Sequence, residues 1–292
     1  MLESLRKHFD SCKCHILCMD EEAFHYLKKF GPKWISPINL KEVETPELLS
    51  VKKDRTKREY CWTLSSQSFE FVRAQNPDAE SITYLDADMF FLRSPVELFE
   101  ELEKEKKSVL ITDHHYAPEY DASLRSGRYC VQYLTILNNP QGWKVINEWK
   151  DQCLEWCYAR LESGKFGDQM YLDEWPTKHK DIVHVANPPD RFIAPWNVDM
   201  VSKSHNSSQP ILYHFQGARY TGENRIILGI DHKLPRSAKP MFNNYGSKLS
   251  ANIDQLKRNG LYTTTFPLGR RGPFWYRKWA RVIKRNMFLY EW

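Results

Sequence analysis

Between residues 81 and 92 the chain reads Ser-Ile-Thr-Tyr-Leu-Asp-Ala-Asp-Met-Phe-Phe-Leu, and no other stretch limits the fold so sharply. Ile82, Tyr84 and Leu85 before the acidic pair, and Met89 to Leu92 after it, predict a buried strand that leaves through further apolar residues. Asp86 and Asp88 do not suit a strand interior, because carboxylates in apolar surroundings need a charged partner or a metal. In an open α/β sheet, ligands gather at the carboxyl ends of strands. Two carboxylates one residue apart at such an end can reach a hard divalent cation. Two solvated turn aspartates are the alternative, and the apolar flanks count against it.

The rest of the chain alternates in the same way. A helix end at 2–9, a strand at 14–19, a helix at 21–30 and a short strand at 34–40 come first. Thr45-Pro46 opens a helix, with proline in its first turn. A strongly basic run from Lys52 to Arg58 leads into a helix that ends near Gln75. Residues 108–112 predict a strand ending in Asp113-His114-His115, and 129–137 a strand with Gln132 buried inside it. Trp143, Ile146, Trp149, Cys153, Trp156 and Leu161 recur at helical spacing, so 141–161 reads as one helix with an apolar stripe. Phe166-Gly167-Asp168-Gln169 opens a short helix that Asp168 is suited to cap. Short strands at 183–185 and 211–213 flank a compact turn, Ala194-Pro-Trp196-Asn197-Val198. His214-Phe-Gln-Gly217 follows the last strand. Strands alternating with helices make this an α/β chain, with helices on both faces of a sheet.

Composition narrows the class further. With 292 residues, 41% of them hydrophobic, the chain can bury a sizeable core, which excludes disorder as its main state. No apolar run approaches the roughly 20 residues of a membrane-spanning helix, and the first 30 residues lack the core of a secretory signal. The cysteines number seven, an odd count. They read as reduced thiols and not as a disulfide framework, and Cys12, Cys14, His15 and Cys18 lack the second half of a zinc-finger pattern. A cytoplasmic setting follows as an expectation. The net charge of +5 is carried by residues 270–292, where Arg270, Arg271, Arg277, Lys278, Arg281, Lys284 and Arg285 face one acid, Glu291. The body is close to neutral, so no nucleic acid is expected as a partner. Residues 273–288 predict a basic helix rich in tryptophan, which either packs on the domain or lies peripherally on the anionic inner face of a membrane.

Three predicted strand ends therefore carry polar groups: Asp86 with Asp88, Asp113 with His114 and His115, and His214. Two carboxylates and an imidazole with open positions suit Mn2+, with Mg2+ next.

At this point the chain resembles the GT-A-fold glycosyltransferases. The resemblance rests on Tyr84-Leu-Asp86-Ala-Asp88 as their DxD motif, on Phe166-Gly167-Asp168-Gln169 with Tyr171-Leu172, and on His214-x-x-Gly217. It extends, with the Trp62-Thr-Leu segment and Pro195-Trp196-Asn197, to the retaining family-8-like enzymes and to bacterial nucleotide-diphospho-sugar transferases, over residues 1 to about 220. It implies a Rossmann-like mixed sheet flanked by helices and a transferase domain over 1–235; beyond that the resemblance fades, and 236–292 is expected as a C-terminal helical extension that carries the basic aromatic helix. It further implies Asp86, Asp88 and His214 as metal ligands, and Asp168 and Gln169 as catalytic residues beside the anomeric carbon of the transferred sugar. Arg55, Asp86, Asp88, His114, Gln132, Trp196, Asn197 and Gly217 would bind the nucleotide sugar. The donor would be a UDP-sugar and the acceptor a glycan or lipid-linked sugar of the cell envelope. Two departures stand out. The strand that precedes the helix at 2–9 in such enzymes is not expected here, and Tyr220 stands where family-8-like enzymes carry a lysine, with Arg219 one residue earlier. A nucleotidylyltransferase on a similar sheet, which needs a glycine-rich phosphate loop, and a non-catalytic scaffold that keeps the fold are the alternatives.

Overall fold

The computed structural model describes residues 1–204, 209–222, 224–228, 232–261 and 288–291. The chain starts with α1 (Leu2–His8), β1 (Cys14–Cys18), α2 (Glu21–Phe30) and β2 (Ile35–Asn39). Helices α3 (Leu40–Val43), α4 (Pro46–Lys52) and α5 (Lys57–Gln75) lead to β3 (Ser81–Leu85) and β4 (Met89–Phe91). Next come α6 (Val96–Glu105), β5 (Val109–Asp113), α7 (Ser123–Ser126), β6 (Tyr129–Leu137) and α8 (Pro140–Glu155). A short α9 (Trp175–Lys178) precedes β7 (Val183–Val185), β8 (Phe192–Ile193) and α10 (Val198–Lys203). The described chain ends with β9 (Leu212–His214), β10 (Arg219–Gly222), β11 (Arg225–Leu228), α11 (Lys239–Arg258) and β12 (Phe288–Glu291).

These strands form a mixed α/β architecture. The largest sheet runs β3-β6-β5-β7, with β6 antiparallel to both neighbours and β5 parallel to β7. Strands β4-β9-β8 form a second sheet, β1 and β2 a parallel pair, and β10-β11-β12 an antiparallel one. The acidic pair is the hinge between the two site-bearing sheets: β3 ends at Leu85, and β4 starts in the other sheet at Met89.

Local sequence accounts for the elements that frame this hinge. Thr56 and Glu59 close a reciprocal capping box at the start of α5, the Thr-x-x-Glu pattern that satisfies two orphan backbone donors. Asn139 accepts from Gly142 N at 2.9 Å, and Pro140 opens the first turn of α8. Trp143, Val145, Ile146, Trp149 and Cys153 on α8 pack with Phe69 of α5 and with Val131, Leu134 and Ile136 of β6 in one core cluster. Every residue of β6 from Tyr129 to Ile136 is buried, which fits a central strand covered on both faces. The helix expected over 141–161 stops at Glu155, because Trp156 is extended, at φ −149°. Trp156 and Cys157 stay buried past that end, so the apolar pattern continues where the helix does not.

Strands β1 and β3 do not pair. Residues of both, with Leu5, Phe9, Phe71, Phe91 and Tyr133, line a cavity of about 890 Å3 whose wall also includes Tyr84, Asp86 and Ala87. Beyond residue 235, α11 buries Phe242 and Ile253 with Phe90, Tyr213 and Phe215, and β12 pairs with β11. The basic helix expected over 273–288 falls, except for its last residue, outside the described residues, and that residue, Phe288, begins β12. Among the described residues no helix is long and apolar enough to cross a membrane. All seven cysteines are free thiols.

One buried ionic cluster locks α6 against the end of β7 and the start of β8. Arg191, 5% exposed, donates to Glu97 (2.9 Å), Glu101 (2.5 Å) and the carbonyls of Asn187 and Pro188. Glu101 also accepts from Asn187 N at 2.9 Å and meets His184 Nε2 at 2.5 Å. Burial alone would push the Glu101 carboxyl up. The His184 ring, the Asn187 N–H and the Arg191 guanidinium outweigh it and hold the pKa at about 2. An unfolded glutamate titrates near 4.3. The stabilisation is therefore complete above that value and is lost as pH falls from it towards 2. Replacing Glu101 by Gln should cost about 3 kcal/mol of unfolding free energy at pH 7. In urea titrations across pH, that difference should shrink between about pH 4.5 and 2; a gap independent of pH would contradict the role given to this carboxylate.

Candidate active site

The site is assembled by strand register. In the β3–β6 ladder Leu85 lies opposite Tyr133, and Asp86 N continues the ladder by donating to Gln132 O at 3.1 Å. In the β4–β9 ladder Met89 lies opposite His214, and Phe215 N donates to Asp88 O at 2.8 Å. Two ladders from two sheets thus bring Asp86, Asp88, Gln132 and His214 to one place, although 128 positions separate Asp86 from His214 in the chain.

The geometry is that of a ligand set. His214 Nε2 is 3.1 Å from Asp88 Oδ1 and 3.8 Å from Asp86 Oδ2. Among the described residues these three form a cluster whose candidate ligand atoms all lie within 4.8 Å of one another. His214 Nδ1 is 2.9 Å from Gln132 Oε1. An amide oxygen can only accept, so Nδ1 carries the proton it donates, and Nε2 is left to face the carboxylates. A metal needs that tautomer, and it is set by the partner of the other ring nitrogen. Gln132 is turned so that its Nε2 reaches Thr112 Oγ1 at 3.4 Å. His214 is 6% exposed, whereas the Asp86 and Asp88 side chains keep 31% and 42% exposure, so the cluster opens to solvent on its acidic side. Two carboxylates and one imidazole, with room for further oxygens, fit Mn2+ or Mg2+.

Charge is distributed unevenly over the set. Burial pushes both carboxyls up. At Asp88 the hydrogen bond and charge of His214 outweigh burial and hold it below the usual range, while Asp86 stays raised. Desolvation alone would lower His214, but its contacts with Asp88, Cys130 and Asp86 raise it well above an ordinary histidine. Tyr84 donates to Asp86 Oδ1 at 2.9 Å and itself accepts from Ser65 at 3.2 Å. Ser65 also lies near the Asp168 carboxyl and works to lower it.

Asp168 does not cap a helix. The 3-10 turn Met170–Glu174 has Gln169 at its N-cap and no side-chain cap. Asp168 is instead a buried acid, 5% exposed, whose carbonyl accepts from Trp149 Nε1 at 2.7 Å. Burial first, and the nearby Asp86 charge second, raise its carboxyl to about 8. Gly167 delivers it through a left-handed turn at φ +56°. Gln169 donates its amide to Ser126 O at 2.6 Å, which ties the loop between β5 and β6 to this segment.

The remaining expected site residues divide. Gly217, at φ +82°, takes the third position of the Phe215–Ala218 turn that follows His214, where a positive φ is required. Trp196 is buried with its ring 5.5 Å from His214 and 5.4 Å from His114, and His114 stacks on Tyr116 at 4.6 Å. Two further expected residues are engaged within the protein. Arg55 is buried, its terminal nitrogens donate to Thr63 Oγ1 and Leu154 O, and its Nε has no partner among the described residues, so it joins the start of α5 to the end of α8. The Asn197 amide donates to His114 O and Phe192 O and accepts from Ala194 N. Sequence reasoning missed Cys130. It stands two residues before Gln132 on the same face of β6, and burial would raise its thiol, but His114 and His214 bring it down to about 7.

Replacing Gln132 by Met keeps the volume and removes the acceptor for His214 Nδ1. By calorimetric titration with Mn2+, affinity should fall about 10- to 100-fold, while Asp88→Ala and His214→Ala should abolish specific binding. An unchanged dissociation constant in the Gln132 variant would contradict the orienting role.

No protein-family model matches the chain. Its fold is similar to that of mouse xyloside xylosyltransferase 1, at 15% identity over 74% of this chain and 90% of that one, with a TM-score of 0.44. It is similar to the galactosyltransferase LgtC in complex with donor and acceptor sugar analogs, at 14% identity over 95% of this chain and 93% of that one, with a TM-score of 0.48. A glycosyltransferase involved in glycosylation of the major capsid of PBCV-1 is similar at 9% identity over 70% of this chain and 93% of that one, with a TM-score of 0.40. In sequence, the Bacillus subtilis (strain 168) uncharacterized protein YfnD is 28% identical over 269 residues, 88% of this chain and 86% of its own. The uncharacterized protein YfnF of the same strain is 30% identical over 241 residues, 77% of this chain and 78% of its own. By that identity and coverage, the chain belongs to the family of the Bacillus subtilis proteins YfnD and YfnF.

Proposed function

We propose that this protein is a glycosyltransferase that takes a sugar from a nucleoside-diphosphate donor, a UDP-sugar, and passes it to a glycan or lipid-linked acceptor of the cell envelope. The observation that carries the reading is the Asp86–Asp88–His214 cluster, oriented by Gln132, with the buried acid Asp168 close enough to feel the charge of Asp86. Breaking a sugar–phosphate bond builds negative charge on the departing diphosphate and cationic character on the anomeric carbon. A bound Mn2+ or Mg2+ supplies the charge that takes up the first of these.

The chain's own groups do the rest. Asp88 and His214 Nε2 would hold the ion, and Asp86 would offer it Oδ2 while Tyr84 occupies Oδ1. The cavity of about 890 Å3 that borders Asp86 lies in the size range of small-molecule sites and has room for a nucleoside. Asp168 would hold the hydroxyls of the transferred sugar. Gln169 would fix the loop around Ser126 over it through the bond it donates there. As the donor's bond from anomeric carbon to phosphate oxygen breaks, a bond forms from that carbon to the acceptor oxygen. With retention of configuration, the acceptor proton passes to the leaving phosphate.

A screen of UDP-, GDP- and TDP-sugars for Mn2+-dependent donor hydrolysis tests the reading. One UDP-sugar should be hydrolysed, and Asp88→Ala should slow it at least about 100-fold, equivalent to ~2.7 kcal/mol. Asp168→Asn should slow it while leaving UDP binding by calorimetry intact. Absence of both turnover and metal-dependent UDP binding would overturn the proposal.

A further inference from the structure

The chain between α8 and Asp168 folds back as a loop held by its own backbone and by Glu59 of α5. Gly167 N donates to Tyr158 O at 3.0 Å, Ala159 N donates to Glu59 Oε1 at 2.8 Å, and Glu162 pairs with Lys165 at the tip. Against this loop lies Trp62 of α5. Its ring is 5.9 Å from that of Phe166, and a Cβ on Gly167 would come within 3.2 Å of Trp62 Cε3. Trp143, Trp149, Trp156, Trp175 and Trp196 are buried, yet Trp62 and Phe166 both keep part of their surface in solvent. Trp62 therefore lies against Gly167, the residue before Asp168, and keeps part of its ring in solvent.

The cations around it are as informative. Arg58, one turn earlier on α5, lies 5.5 Å over the Trp62 ring. Among the described residues neither Arg58 nor Lys57 has a carboxylate within ion-pair distance, whereas Lys52, Arg93, Arg128 and Lys150 all do. Arg160, on the loop, lies 4.4 Å over Tyr158. Arg160 is spent on Glu162 at 2.6 Å, so the cation left at the ring is Arg58. A half-open aromatic ring beside such a guanidinium suits a ring with apolar C–H faces and a negative substituent: the faces stack, and the guanidinium meets the anion.

We propose that Trp62, with Phe166 and Arg58, forms an acceptor subsite for a sugar ring that carries a carboxylate or phosphate. The subsite adjoins the segment that carries Asp168, because Trp62 lies against Gly167, the residue before it. The name acceptor rests on the transferase reading; the binding of an anionic sugar ring does not, and it can be measured without turnover.

Saturation-transfer NMR with glucuronate, glucose 6-phosphate and glucose, in EDTA so that no metal can recruit the phosphate, tests the subsite. The wild-type protein should bind both charged sugars at least tenfold more tightly than glucose. Trp62→Leu should weaken both at least tenfold, Trp62→Phe should retain them within about threefold, and Arg58→Gln should bring both to the affinity of glucose. Equal affinity for charged and neutral sugars, or full affinity in Trp62→Leu, would overturn the proposal. If charged sugars bind as described but no nucleotide sugar is turned over, the subsite stands and the transferase reading falls.

Discussion

The hydrogen bond from His214 Nδ1 to Gln132 Oε1, 2.9 Å long, joins the two site-bearing sheets and decides what the site can hold. Without it the imidazole could turn. With it, Nδ1 is held on Gln132, and Nε2 is the nitrogen that faces Asp86 and Asp88 and can exchange its proton for a cation. The bond exists because β6 belongs to the larger sheet and β9 to the smaller one, and the three residues Asp86-Ala87-Asp88 carry the chain from one sheet to the other. A slip of one residue in either ladder would turn these side chains to the opposite face and empty the site.

The protein surrounds this arrangement with rigid parts. Trp149 of α8 reaches through the core to hold the Asp168 carbonyl, and the stripe it belongs to packs that helix on β6. The Arg191 cluster clamps α6 to the segment before β8, which pairs with β9 and so supports His214 from behind. The Gly217 turn releases the chain immediately after His214. Asp86, Asp88 and the rim at Trp62 are left partly exposed. Binding and chemistry are thus placed where fixed walls meet open groups.

Much of this could be read in the sequence. An apolar strand that runs into two aspartates and leaves through further apolar residues points to carboxylates that need a partner, and β3 and the acidic hinge fall where that pattern puts them. His214 and Gln132 were legible as polar residues in or at the end of apolar strands, although their pairing depends on registers that no local pattern encodes. What remained hidden had physical reasons. Trp156 and Cys157 continue an apolar stripe after α8 has ended, so periodicity runs past the helix. Arg55 and Asn197 look like ligand contacts by type, and the bonds they make to groups brought up from elsewhere in the chain could not be read locally. Asp168 looks like a helix cap and is a buried acid, because its environment is supplied by α5 and α8 from elsewhere in the chain. Cys130 was within reach: it shares a strand face with Gln132.

The central claim is that one imidazole and the acidic pair clasp a single divalent ion. Electron–nuclear double resonance on the Mn2+-loaded protein examines the ion's own coordination. The account predicts the coupling of one directly bound imidazole nitrogen, removed by His214→Ala. A spectrum showing oxygen ligands alone, or nitrogen coupling that persists in that variant, would contradict it.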